Sequence, residues 1–125
     1  MKNGYLYIND NIFQTLIALS EEEQTKGLMH QPWPPPVMSF IYKYPKPVQF
    51  WMKNTPSPLD IVFSYNGKIT EICKGEPYST NLIGRGIDTD LVVEFPYGTM
   101  NDLNIKVGSN IELFNPTKEQ LKKII

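Results

Sequence analysis

The sequence predicts a mainly β domain, a small curled-sheet or barrel-like fold of about seven strands with short helices at its margins. Three observations predict it. Eleven prolines and eight glycines are spread along 125 residues, which divides the chain into many short elements joined by turns. The apolar runs between them are short and rich in Ile, Val, Phe and Tyr, the residues that fit a pleated surface. Asn66-Gly67 stands between the runs "IVFSY" and "KITEIC", and Asn-Gly suits the positive φ that a type I′ hairpin turn requires at both central residues.

The elements follow in order. "IFQTLIALS" (12–20) reads as a strand. Ser20 and Glu23 then have the spacing of a capping box, in which each side chain satisfies a backbone N–H left free at a helix start. Gly27 is placed to end that helix in a left-handed conformation, and Leu28 and Met29 return to the core. "HQPWPPP" (30–36) is a stiff extended connection, because its prolines have no backbone donor. "VMSFIY" (37–42) is the next strand, closed by "KYPKP". "VQFWMK" (48–53) and "LDIVFSY" (59–65) read as two strands around the turn "NTPSP". After the Asn-Gly hairpin comes a long loop, 74–90, without periodicity; connections of that length are often functional. "LVVEF" (91–95) is a buried strand, followed by a one-turn helix, a tight turn at Gly108 and a last strand. In "NPTKEQLKKII", Thr117 and Gln120 repeat the capping-box spacing and Leu121, Ile124 and Ile125 form a stripe, which predicts a final helix over 116–125.

Length and charge narrow the classes of function. One domain over 1–125 suffices, since a chain of this size buries roughly two-thirds of its unfolded surface without disulfides or metals. The net charge is −1 with both signs interleaved, which provides no basic footprint for nucleic acid. Cys73 is alone and His30 has no second ligand nearby, so neither a disulfide nor a zinc cluster is expected, and no cofactor is implied. No run approaches the roughly 20 apolar residues that span a bilayer. The chain therefore reads as soluble, with no membrane association, and the absence of a signal-peptide pattern at its start places it in the cytoplasm.

Several segments together resemble one family. "TKGLM" (25–29), "VMSFIY" (37–42), "FWMKNTPSPLDIVF" (50–63), "GKITEI" (67–72) and "LVVEFPYGTMNDLNIKVGSNIEL" (91–113) are similar, in order and spacing, to the DUF192 (UPF0127) family of small prokaryotic proteins. The resemblance covers about 12–114 and leaves the C-terminal helix as an addition. It implies a compact, mostly β domain and brings no established activity. Many relatives look exported and carry a cysteine pair in the loop after the hairpin; this sequence has neither the leader nor that pair.

The candidate site lies in the central motif. Alternation puts Phe50 and Met52 on one side and Trp51 and Lys53 on the other, while Asp60 shares a face with Val62 and Ser64. The turn could bring Lys53 and Asp60 together as an ion pair. Two readings stand beside each other. Asp60 and Asn54 can hydrogen-bond the proline-interrupted turn, leaving Lys53 a rim charge. Alternatively the aromatic walls desolvate Lys53, which then anchors a ligand's carboxylate or phosphate or serves as an acid–base group. Glu94 lies on the face of "LVVEF" shared with Val92. Solvent is the favoured place for it, and a pocket where it meets Lys53 or Arg85 is the other.

The expectation is a small polar or anionic ligand held in a groove by Trp51, Met52, Lys53, Asn54, Asp60, Arg85 and Glu94, without catalysis. Two alternatives belong to other classes: a protein-interaction module that uses exposed Trp33 and its proline-rich flank, and a weak acid–base enzyme using Lys53 or Asp60.

Overall fold

The computed structural model describes residues 1–114, so the helix expected over 116–125 lies outside the described residues. Seven strands and two short helices run in the order β1 (Lys2–Ile8), β2 (Asn11–Ala18), α1 (Glu21–Lys26), β3 (Met38–Pro47), β4 (Leu59–Tyr65), β5 (Lys68–Gly75), β6 (Asp88–Pro96), α2 (Thr99–Asp102) and β7 (Ile111–Phe114). The strands form one sheet ordered β5-β4-β6-β3-β2-β1-β7. Its two outer strands are tied to each other as well: Ile69 N–H donates to Ser109 O at 2.9 Å and Ile111 N–H to Gly67 O at 3.0 Å. The sheet therefore curls toward closure, the usual way a β domain protects its edges.

Curling gives the sheet two unequal faces. The concave face gathers Leu6, Ile8, Val62, Val93, Phe95 and Ile111, plugged by Met100 of α2 and by Ile105. The convex face carries Ala18, Met38, Phe40, Ile61, Phe63 and Val92, and is covered by Leu28, Val48 and Met52. Alternation along β4 and β6 assigns residues to these faces as expected: Leu59, Ile61 and Phe63 are convex and Val62 concave.

Local signals account for most boundaries. Both arms of the Ser20–Glu23 capping box are made, and Gly27 N–H closes α1 on Glu23 O. Gly27 has positive φ (48°) with ψ of −128°, outside the left-handed helical well in which it was expected. Asn66 and Gly67, at φ 50° and 79°, make the turn between β4 and β5. The parallel pairing of β2 with β3 requires a crossover, which residues 19–37 supply with α1 inside it.

Two assignments change. Residues 2–8, for which no element is expected from the sequence, form β1: Leu6 and Ile8 alternate inward, and a turn at Asn9-Asp10, with Asn9 at φ 54°, pairs it with β2. "VQFWMK" is not a strand of the sheet. It crosses the convex face, and its one strand-like contact is the bridge Phe50–Ile83 to the long loop. No helix of the described residues is long and apolar enough to cross a membrane.

Candidate functional site

The motif segment is fastened on both sides by backbone hydrogen bonds. Phe50 exchanges two with Ile83, at 2.9 and 2.7 Å, and Met52 N–H donates to Ser79 O at 2.8 Å. On its other flank His30 N–H donates to Asn54 O at 2.8 Å. The long loop is thus the pairing partner that the segment lacks in the sheet. A turn closes at Thr55 N–H to Met52 O, with Asn54 at φ 56°, a conformation asparagine tolerates better than most residues. Thr55 is itself buried and its hydroxyl donates to Lys53 O. Period-two alternation holds within the segment. Met52 is fully buried against the convex face while Trp51 remains 43% exposed.

This arrangement leaves a cavity of about 590 Å³ between the motif segment, α1 with residues 27–29, and the convex face of the sheet. Its walls are aromatic, formed by Phe40, Tyr42, Phe50 and Trp51. Phe40 and Phe50 meet edge to face with centroids 4.9 Å apart. Lys26, Lys46 and Lys53 line it as well, with Glu21 as the one further acid. Two of those ammonium groups sit over wall rings: Lys46 Nζ is 5.0 Å from the Tyr42 centroid and Lys53 Nζ 5.2 Å from that of Trp51.

Glu94 lies at the base of the cavity, only 4% exposed. The favoured expectation placed it in solvent, and the structure overturns that. Its register partners Met38 and Ile61 belong to the convex face, and the covering segments at Gly27 and Met52 pack over that face and leave Glu94 little contact with water. Among the described residues, no hydrogen bond or ion pair within the protein reaches its carboxylate, and burial alone pushes its pKa up to about 8. Among the described residues no side-chain nitrogen or oxygen sealed from solvent lacks a partner, so the Glu94 oxygens, which make no hydrogen bond there, face the cavity. Burial also raises Tyr42 to about 12, and the Glu94 charge adds to that rise.

The other expected site residues are dispersed. Asp60 is 6% exposed but lies on the concave side, opposite Phe95, where it accepts a hydrogen bond from Met100 N–H at 2.9 Å. Lys53 and Asp60 are therefore on opposite faces, and the expected ion pair between them is not formed. Arg85 pairs with Glu71 through Nε at 3.7 Å and donates to Thr70 O, away from the cavity. Asn54 serves the turn, and Met52 lies behind the wall in the core. Trp51, Lys53 and Glu94 are the three that the cavity brings together. Tyr42 and Lys46 were missed; the alternation of "VMSFIY" puts Tyr42 on one face with Met38 and Phe40, and this was the available signal. Cys73 is half-buried, its thiol raised to about 11 by burial and by Glu71, as befits an inert thiol. No cluster of three His, Cys, Asp or Glu suited to a metal occurs among the described residues.

Fold and site together define a curled seven-stranded β domain with an acid-floored cavity over its convex face. The chain belongs to the DUF192 family, described as an uncharacterized ACR, which it matches over residues 6–113. That span begins within β1, ahead of the residue 12 expected from the motifs. Among the solved structures that share the fold are two of similar likeness. One is a candidate transcription regulator from Sinorhizobium meliloti 1021, 28% identical, with a TM-score of 0.78 over 90% of this chain and 92% of that one. The other is a protein of unknown function from Novosphingobium aromaticivorans DSM 12444, also 28% identical, with a TM-score of 0.77 over 88% and 83%. No curated protein matches the chain.

Proposed function

We propose that this chain is a small-ligand-binding β domain whose site is the cavity bounded by Tyr42, Trp51, Lys53 and Glu94, and that it acts without catalysis. The observation that carries the reading is the Glu94 carboxyl group, buried, without a partner among the described residues and facing an aromatic-walled cavity. Burying a carboxylate without a partner costs several kcal/mol, roughly, and convergent polar groups among apolar walls are the usual anatomy of a binding pocket. The motif's share is narrower than its sequence suggests. Trp51 and Lys53 reach the cavity, whereas Met52 and Asn54 hold the segment that frames it and Asp60 caps α2 on the opposite face of the sheet. The Sinorhizobium relative's description is not carried over here, since a net charge of −1 with both signs interleaved gives no overall basic footprint for nucleic acid.

The test is a fragment screen followed by amide chemical shifts. Binding of one chemical class, with perturbations centred on Tyr42, Trp51, Lys53 and Glu94, is the expected result. Fragments that perturb only other surfaces, or none, would remove the cavity as a site. A second reading has one observation in its favour: Trp33, in the proline-rich connection, is 56% exposed and free to dock a protein partner. Loss of a partner from pull-downs with Trp33→Ala, with the cavity unperturbed, would select it.

A further inference from the structure

Resting on that cavity as the site, we infer that its ligand is a small amino-carboxylate, whose ammonium group is received by Glu94 at the floor and whose carboxylate is met by the lysines at the mouth. The inference follows from how charge is distributed with depth. The floor carries one acid, buried and without a partner among the described residues. The remaining charged and titratable side chains around it are Glu21 and Lys26 of α1, Tyr42 and Lys46 of β3, and Lys53 of the motif segment, while β4 presents the apolar Ile61. Three of these are cations and one is an acid, so the lining is positive once Glu94 is set aside.

Lys46 and Lys53 are held over the Tyr42 and Trp51 rings, at 5.0 and 5.2 Å, and neither forms an ion pair among the described residues, so their ammonium groups can meet an anion. A molecule of matching polarity has its cation deep and its anion outward. The aromatic walls favour the cation twice, by excluding water from the Glu94 contact and by presenting ring faces to an ammonium group. A cavity of about 590 Å³ has room for such a molecule and for a short apolar link between its ends.

The competing chemistry is a protonated Glu94 that donates a hydrogen bond to a ligand carboxylate. The two differ in the sign of their pH dependence. Receiving an ammonium group requires the ionised acid, so affinity rises with pH until Glu94 is fully ionised. Donation requires the neutral acid, so affinity falls as pH rises.

The test uses the full chain and three probes: 4-aminobutanoate, butylamine and butanoate, each followed by amide shifts of the cavity residues between about pH 6 and pH 9, where the butylamine ammonium group stays protonated. Expected is binding of 4-aminobutanoate and, more weakly, of butylamine, with affinities that rise about tenfold per pH unit below about 8 and then level off. Glu94→Gln, which keeps the size of the side chain, abolishes both. Lys53→Ala weakens 4-aminobutanoate several-fold relative to butylamine, which has no carboxylate to lose a partner. Butanoate binding that strengthens as pH falls, or amine binding that survives Glu94→Gln, overturns the inference while the cavity stands as a site. No cavity shift with any of the three overturns the inference, and the cavity itself falls only if the wider fragment screen is silent too.

Discussion

The carboxylate of Asp60 accepts a hydrogen bond from the backbone N–H of Met100, 40 residues further along the chain. Met100 lies in the first turn of α2, whose N-cap is Gly98 and has no side chain to offer. Helix starts leave backbone donors free, and here the sheet supplies the acceptor. Asp60→Ala strands a buried N–H and is expected to cost about 1–3 kcal/mol in chemical denaturation. Asp60→Asn, which keeps an acceptor, is expected to cost less. Neither changes ligand binding in the cavity, because Asp60 and the cavity lie on opposite faces of the sheet. Loss of ligand binding in a folded Asp60→Asn protein would refute this assignment.

Glu94 makes the stability of the chain depend on pH. Its folded pKa is raised from the carboxylate range to about 8, so across that interval the folded state binds more protons than the unfolded state. Stability then falls as pH rises from about 4.5 toward 8, and the charge is a standing cost of a few kcal/mol, roughly, above it. Glu94→Gln is expected to flatten that slope and to raise the melting temperature at pH above about 8. Urea unfolding of both proteins at several pH values measures it. Parallel curves would mean that the Glu94 carboxylate finds a partner in the folded protein.

The Met52 side chain fills the space beside Gly75. A Cβ at residue 75 would come within 2.5 Å of Met52 Sδ and 3.2 Å of Ile61 Cδ1. Gly75→Ala therefore overpacks the layer under the motif and is expected to cost about 1–3 kcal/mol. Met52→Ala alone opens a cavity at a cost of about 2–5 kcal/mol. The double variant is expected to cost clearly less than the sum, because each change relieves the other. Additive costs in a denaturation cycle would separate the two residues.

What the sequence made legible was local or periodic. The capping box depends on a three-residue spacing, the Asn66-Gly67 turn on φ, and the faces of β4 and β6 on period two; all three stand in the structure. The same alternation in "VQFWMK" is present but misleads about the element. Phe50 and Met52 point inward as a strand's residues would, yet the hydrogen-bond partner is the loop at Ser79 and Ile83. β1 was missed because its turn, Asn9-Asp10, lacks the glycine that marks the other hairpin. For the site, alternation put Glu94 with Val92, but whether that face is wet depends on residues 27–28 and 48–52 folding over it, a tertiary fact. The closeness of Lys53 and Asp60 in the chain was the strongest false lead. Seven residues apart across a proline turn, they leave it on different sides of the sheet.

Trp51 gives the cavity its own reporter. The chain has two tryptophans, and both are accessible, Trp33 at 56% and Trp51 at 43%. Trp33→Phe leaves Trp51 alone, standing at the cavity with Lys53 over its ring. In the free protein its emission should be quenched readily by acrylamide. A ligand that fills the cavity covers the inner face of the ring and displaces water from it, so quenching is expected to fall, with a blue-shifted emission. Trp51→Phe keeps only Trp33, which lies outside the cavity lining, and its quenching is expected to stay constant at the same ligand concentration. A ligand that shifts the Tyr42 and Glu94 amides yet leaves Trp51 equally quenchable would place Trp51 outside the bound site. The Trp33 signal changing instead would move the binding surface to the proline-rich connection.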